Sequence, residues 1–268
     1  GEALKLSTEL GGKLPLSRLV EDAAWHAEDG FVVTNSQAEL TAQKLAELKP
    51  VPGFADQFLA KGKAPKEGDL MRFPALAATL KTLGKSGADD FYRGKLARKL
   101  AADLARIGAP VTKDDLARHM AARRAPLSVK VRAGQLFNFP PPTQGLASLM
   151  ILALFDRLGV AEADSFDYLH GIIESTKQAF LVRDRLIGDP ASMTDDPARY
   201  LKPKLLDDLA ARIDRRRALP WPAPIDMGDT VWLGAIDANG MAVSFIQSIY
   251  FEFGSGVVLP ETGIVWQN

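Results

Sequence analysis

Side chains able to do chemistry are sparse in this sequence of 268 residues. It has no cysteine, which excludes disulfides, thiolate metal sites and cysteine nucleophiles. The three histidines, His26, His119 and His170, are scattered. His170 and Glu174 stand one helical turn apart, a spacing that suits a shared metal ion, but a pair without further ligands reads as ordinary surface chemistry. No glycine-rich phosphate loop, Ser-His-Asp order or nucleotide fingerprint is present. Hydroxyls remain. Thr230, preceded by Asp229, opens an apolar run, and Ser248 and Tyr250 lie near the end of the next one. On periodicity alone Thr230 is a β-branched strand residue, as most threonines in strands are, and Ser248 is a small strand residue bonded to backbone.

The elements that must position these residues fall into two kinds. Residues 17 to 206 read mostly as helices. Ser17 is placed to cap a helix that Gly30 ends, and a second runs from Ser36 to about Leu48, stopped by Pro50 and Pro52. Phe73 to Leu83, Asp89 to Ile107, Gly145 to Leu158 and Ser165 to Leu186 are further helices, and Thr112 caps a short one. Leu146, Leu149, Met150, Ala153 and Leu154 share one helical face and are expected in the core. Leu127 to Phe139 alternates as a strand does, and Pro140-Pro141-Pro142 breaks it. After Arg217 the character changes. Leu219 to Pro224 is a proline-rich loop. Thr230 to Asp237 and Met241 to Phe251 are apolar runs joined through Ala238-Asn239-Gly240, a hairpin signal. Both faces of these strands are apolar, so the hairpin is expected to be covered on both sides in a layered structure. The division is therefore a mainly helical region 1–217, a loop 218–229 and a β element 230–268, in an α+β chain.

Composition narrows the partners. The chain is 47% hydrophobic and 25% charged, with 33 Lys plus Arg against 33 Asp plus Glu. A balanced charge gives no global field favouring nucleic acid or an anionic membrane, and the cluster Arg212, Arg215, Arg216, Arg217 reads as a solvated helix end. No apolar run approaches the ~20 residues of a spanning helix. Gly1 to Leu19 lacks the basic start and apolar block of a secretory leader. A bacterial cytoplasm and periplasm both remain open as the compartment.

Four segments, in order, resemble the γ-glutamyltranspeptidase family of N-terminal-nucleophile hydrolases: Asp90-Phe91-Tyr92-Arg93-Gly94 with Val111 to Leu116; Pro140-Pro141-Pro142-Thr143-Gln144-Gly145; Gly188-Asp189-Pro190; and Gly228-Asp229-Thr230 through Gly254-Ser255-Gly256. The resemblance implies a four-layer αββα arrangement in the parent enzyme, of which this chain holds mainly the helical part and a hairpin. It implies a precursor that cuts itself between Asp229 and Thr230, with residues 230–268 opening the small subunit. The freed α-amine, titrating near pH ~7.7–8.0, then serves Thr230's own hydroxyl as base. The expected reaction is hydrolysis or transfer of a γ-glutamyl or other amide through a Thr230 acyl-enzyme, with no cofactor and no metal.

Ser248 matches the family position whose hydroxyl contacts the nucleophile. A two-residue Asn239-Gly240 turn pairs Thr230 with Ile249 and turns Ser248 away; a three-residue loop, Ala238 to Gly240, pairs Asp237 with Met241 and sets Ser248 opposite Thr230. The function implied by the resemblance requires the three-residue loop. Tyr250 stands where the family usually has a substrate-binding Asn, and is similar to what acylase-like branches carry; Val231 and Trp232 replace the usual Thr and His. The family's carboxylate-binding Arg and oxyanion glycines have no counterpart between Gly1 and Asn268. The expectation is therefore an uncut Asp229–Thr230 bond and an inactive fragment that needs other parts of its precursor. A non-catalytic scaffold of the same fold and an acylase for non-γ-glutamyl amides are the alternatives. A homo-oligomer is also open.

Overall fold

The structure is a computed structural model that describes residues 2–221 and 231–267, with side chains from Leu6 onward. Two compact units emerge, residues 1–121 with 226–268, and residues 122–225. Among the described residues the sheets are four separate two-stranded antiparallel pairs, and the remaining regular structure is helical.

In the second unit a hairpin, Leu127–Val131 paired with Gly134–Asn138, lies with the helices Gly145–Leu158, Phe166–Leu186 and Pro203–Ala210 around one core. The single strand expected from 127 to 139 is thus two strands; Arg132 and Ala133 turn between them. As the periodicity predicts, Leu146, Leu149, Met150, Ala153 and Leu154 are buried. Thr143 ties the triple-proline turn together: its hydroxyl donates to the Pro140 carbonyl at 3.0 Å and accepts from the Gly145 N–H at 3.2 Å. A Cβ at Gly145 would lie 2.1 Å from the Phe139 carbonyl oxygen, so only glycine starts this helix. Glu174, 2% exposed, accepts from Lys177 Nζ at 2.6 Å and from the Leu219 N–H at 3.1 Å, and the same ammonium donates to the Leu219 carbonyl at 2.7 Å. One buried ion pair therefore holds both polar groups of a backbone unit at the start of the proline-rich loop.

The first unit contains two cores. Leu48, Phe54, Phe58, Phe253 and Val258 form one; Leu96, Leu100, Leu104, Leu116 and Leu259 form the other. Residues from the C-terminal stretch contribute to both. Val258–Leu259 pairs with Ile264–Val265, the Val258 N–H bonds to the Pro52 carbonyl at 3.0 Å, and the Glu261 N–H bonds to the buried Asp103 carboxylate at 3.0 Å.

Two helices expected as continuous are broken here. Residues 17–30 are split at Val20 into Leu16–Leu19 and Glu21–Asp29; Pro15, not Ser17, stands at the N-cap, because the proline ring's fixed φ starts the helix two residues earlier. The 89–107 stretch is Asp90–Arg93 and Lys95–Arg106, interrupted at Gly94. The Asp90 carboxylate causes this break by accepting from the Lys95 N–H at 2.8 Å and the Leu96 N–H at 3.2 Å. The Thr112 cap is present as a full capping box with Asp115.

Candidate active site

Asp229 and Thr230, the expected cleavage site and nucleophile, lie outside the described residues. The hairpin beginning at the next residue is described. Val231–Ile236 pairs with Ala242–Gln247, from Val231 opposite Gln247 to Ile236 opposite Ala242. The Asp237 N–H bonds to the Met241 carbonyl at 3.0 Å, which leaves Ala238, Asn239 and Gly240 as a three-residue loop. Gly240 takes a φ of +83°, as this loop type requires. Asp237 selects it: one carboxylate oxygen accepts from the Asn239 N–H at 2.8 Å and from the Met241 N–H at 2.9 Å.

The second strand ends at Gln247, short of the expected Phe251. Tyr250 has a φ of +77°, which no strand can hold. Its N–H donates to Ser248 Oγ at 2.8 Å, so the structure brings these two expected site residues together in one tight turn, both exposed. Beyond them the chain dives into the first unit. Lys44 Nζ sits 4.4 Å above the Phe251 ring, and Phe253 packs edge-on to Phe54 and Phe58. The Phe-Gly-Ser-Gly run has a steric reason. A Cβ at Gly254 (φ +57°) would lie 2.5 Å from the Trp266 carbonyl oxygen, which also accepts from Ser255 Oγ at 2.9 Å.

The expectation of a hairpin covered on both faces is not met among the described residues: every residue of both strands is exposed, the large apolar side chains from Phe245 at 36% to Ile236 at 74%. No described element packs over either face, so the pairing satisfies the backbone while the side chains keep water on both sides. Pattern reasoning also missed one contact. The Trp232 indole N–H donates to Ser244 Oγ at 2.9 Å across the strands, and the ring lies over Gly234. A Trp facing a Ser two residues beyond its cross-strand partner, with a glycine beneath, is the signal that registers it.

The candidate metal pair is otherwise engaged. His170 Nε2 bonds to the Asp214 carbonyl at 2.7 Å and stacks on Phe166, while Glu174 serves Lys177 and Leu219. Among the described residues no group of three His, Asp or Glu is arranged for a metal ion, and no helix is long and apolar enough to cross a membrane. The arginine cluster follows the end of the Pro203–Ala210 helix, where the Asp214 carboxylate accepts from the Arg216 and Arg217 N–H groups and Arg215 bonds to the Leu158 carbonyl.

The chain is 52% identical over 268 residues to the oxamate amidohydrolase proenzyme of Klebsiella pneumoniae subsp. pneumoniae, covering 100% of this chain and 51% of that protein. It is 35% identical over 259 residues to the glutathione hydrolase-like YwrD proenzyme of Bacillus subtilis, covering 96% of this chain and 49% of that one. The chain thus spans about half the length of the curated relatives it matches. The crystal structure of cephalosporin acylase from Bacillus halodurans superposes with a TM-score of 0.85 at 32% identity, over 95% of this chain and 48% of that one. The α+β class holds: helical units with small antiparallel sheets, in the N-terminal-nucleophile hydrolase fold of that acylase. With the Gamma-glutamyltranspeptidase family model matching residues 3–268, the chain belongs to the γ-glutamyltranspeptidase family.

Proposed function

We propose that the chain is part of a proenzyme that cuts itself between Asp229 and Thr230 and then hydrolyses or transfers the acyl group of a small-molecule amide through Thr230. The observation that carries this reading is the hairpin register. The described ladder ends with Val231 opposite Gln247; in this reading it continues by one step and would pair Thr230 with Ser248. In self-cleavage the Thr230 hydroxyl oxygen attacks the Asp229 carbonyl carbon and the C–N bond breaks, which frees the nitrogen, with the hydroxyl's proton, as the Thr230 amine; water then hydrolyses the resulting ester, releasing the Asp229 carboxylate and restoring the Thr230 hydroxyl. In turnover that amine takes the hydroxyl proton as Oγ1 attacks the substrate carbonyl, then gives it to the departing amine. Water or an acceptor amine releases the acyl group. In this reading the Ser248 hydroxyl bonds Thr230, and Tyr250, whose N–H is tied to Ser248, is a substrate contact.

The names of the relatives support the proenzyme and the amide chemistry. Tyr250, in place of the family's Asn, and the likeness to the oxamate amidohydrolase favour an amide other than γ-glutamyl. The bare hairpin, in a chain half the length of its relatives, supports further polypeptide of the same precursor covering both faces and completing the site; a second copy of the chain is the competing occupant. The chain by itself is then inactive. A non-catalytic scaffold is the second reading, favoured only if Thr230 is never freed.

The test is intact mass and N-terminal sequencing of the full-length protein, with an amide panel assayed in parallel. A new N-terminus of Thr-Val-Trp, and loss of both cleavage and turnover in Thr230→Ala, is the expected result. A permanently uncut protein, or turnover that survives Thr230→Ala, overturns the proposal.

A further inference from the structure

We infer that Glu252 and the groove beside it form a receptor for one basic side chain, an arginine or a lysine, from a part of the precursor outside these 268 residues. The inference rests on the proposed covering polypeptide and not on Thr230 being freed. Glu252 belongs to the first unit, and both of its neighbours are held. Lys44 Nζ lies 4.4 Å above the Phe251 ring, and Phe253, 7% exposed, packs against Phe54 and Phe58. The side chain between them therefore starts from a fixed point. It is half-buried, and its Oε2 is sealed from water without a hydrogen-bond donor. Among the described residues the only other buried side-chain atom in that condition is Ser175 Oγ. For a neutral hydroxyl the loss is small; a carboxylate gives up far stronger hydration and needs a donor or an opposite charge in return. The groove's own polar groups are engaged elsewhere. Ser36 Oγ is paired with Thr34 Oγ1 at 3.2 Å, and Gln37 Nε2 donates to Met71 Sδ at 3.5 Å. Lys44, on the same helix Asn35–Leu48, has its ammonium 3.5 Å from the Glu47 carboxylate.

Size and lining select the occupant. Leu40, Phe58, Phe253 and Val265 give the groove apolar walls, and Glu252 is the one charged residue that lines it. Its volume of about 250 Å³ falls below the ~300–1,000 Å³ of small-molecule sites and suits a single side chain. An arginine or lysine carries an aliphatic stem for the walls and a cationic head for the carboxylate. A purely apolar side chain would fill the walls and leave Glu252 unpaired; an acidic one would be repelled. This chain spans about half the length of its curated relatives, so a protein of their length has polypeptide to supply the cation.

The experiment uses the full-length protein, unaltered and as Glu252→Gln, which keeps the shape of the side chain and removes its charge. The structure of the full-length protein is expected to show a guanidinium or ammonium nitrogen from outside this chain within about 4 Å of the Glu252 carboxylate. Glu252→Gln is expected to lower the melting temperature by at least about 2 °C, and to do so equally in a Thr230→Ala background. Replacing the partner cation by Met shifts the unaltered protein similarly and shifts Glu252→Gln much less. A groove that holds only water or side chains of the present chain, or an unchanged melting temperature, overturns the inference. So does a rise in KM at unchanged melting temperature, which assigns the cation to the substrate, and a melting shift that vanishes on dilution, which assigns it to a second copy. A hairpin left bare in the full-length structure overturns the covering polypeptide as well, whereas turnover that survives Thr230→Ala overturns only the nucleophile.

Discussion

The helix Gly145–Leu158 and the hairpin from Val231 to Gln247 are both rich in large apolar side chains, yet Leu149, Met150 and Leu154 are sealed from water while Trp232, Leu233, Val243 and Ile246 are open to it. The helix meets its neighbours inside its own unit: the Leu127–Asn138 hairpin, the long Phe166–Leu186 helix and the Pro203–Ala210 helix. Strand pairing satisfies the 231–247 backbone and leaves the side chains without a cover. Apolar pattern specifies that a surface is to be buried; it does not say by what. An apolar patch of this kind marks a binding surface, and a lone two-stranded ribbon is marginal in water. That contrast underlies the proposal that more polypeptide closes over the hairpin.

The largest effect expected is at the ion pair beneath Leu219. Lys177→Met leaves the Glu174 carboxylate buried without its cation and is expected to cost about 3–5 kcal/mol. Urea unfolding measures it, and a loss below about 1 kcal/mol would show that water reaches the pair. In the core, Leu149→Ala is expected to cost about 2–5 kcal/mol. Thr112→Ala removes a helix cap from the first unit, at about 1 kcal/mol. That cap has a pH signature. The Thr112 hydroxyl and N–H, aided by Arg118, hold the Asp115 carboxyl below its ordinary value of 3.8. A depressed carboxyl contributes stability above that value and loses it as pH falls through the folded one. Thr112→Ala should accordingly narrow the stability difference between about pH 6 and about pH 3; an unchanged difference refutes the assignment. The smallest effect belongs to the hairpin. Leu233→Ser should change this chain's stability by less than about 0.5 kcal/mol, as exposed positions do. In the full-length protein the same substitution should cost as much as a core change; an equally small effect there would break the comparison and remove the case for a cover.

The parts of the fold that were legible in the sequence are those governed by local periodicity. The helices at 145–158 and 165–186 and the Thr112 cap follow from spacing and capping chemistry alone. What spacing concealed was governed by single side chains reaching around a corner. Asp90 breaks the 89–107 helix by capping the second half of it, a role indistinguishable in sequence from an ordinary first-turn acid. The Arg132-Ala133 turn carries neither Asn-Gly nor proline, so the alternation of residues 127–139 runs through it unmarked. The short helix Phe54–Phe58 hides between Pro52 and a bridge at Ala60. At the candidate site, the three-residue loop was one of two options left by the sequence, and the Asp237 carboxylate decides it. Tyr250 departs from the strand because of a backbone conformation that no composition rule assigns to tyrosine. Thr230 and Asp229 entered through the ordered motifs, never through periodicity.

The C-terminal stretch anchored by Phe253, Val258 and Leu259 has a consequence for a protein cut ahead of Val231. Those side chains, with the bonds from Val258 to Pro52 and from Glu261 to Asp103, lodge the stretch among helices encoded some 150 to 200 residues earlier. A nick would thus turn one polypeptide into a heterodimer whose halves stay intertwined. They should migrate together on gel filtration and separate only in denaturant. Refolding, unimolecular before the nick, would become second order and fail on dilution, so the chain's one opportunity to thread itself comes before it is cut.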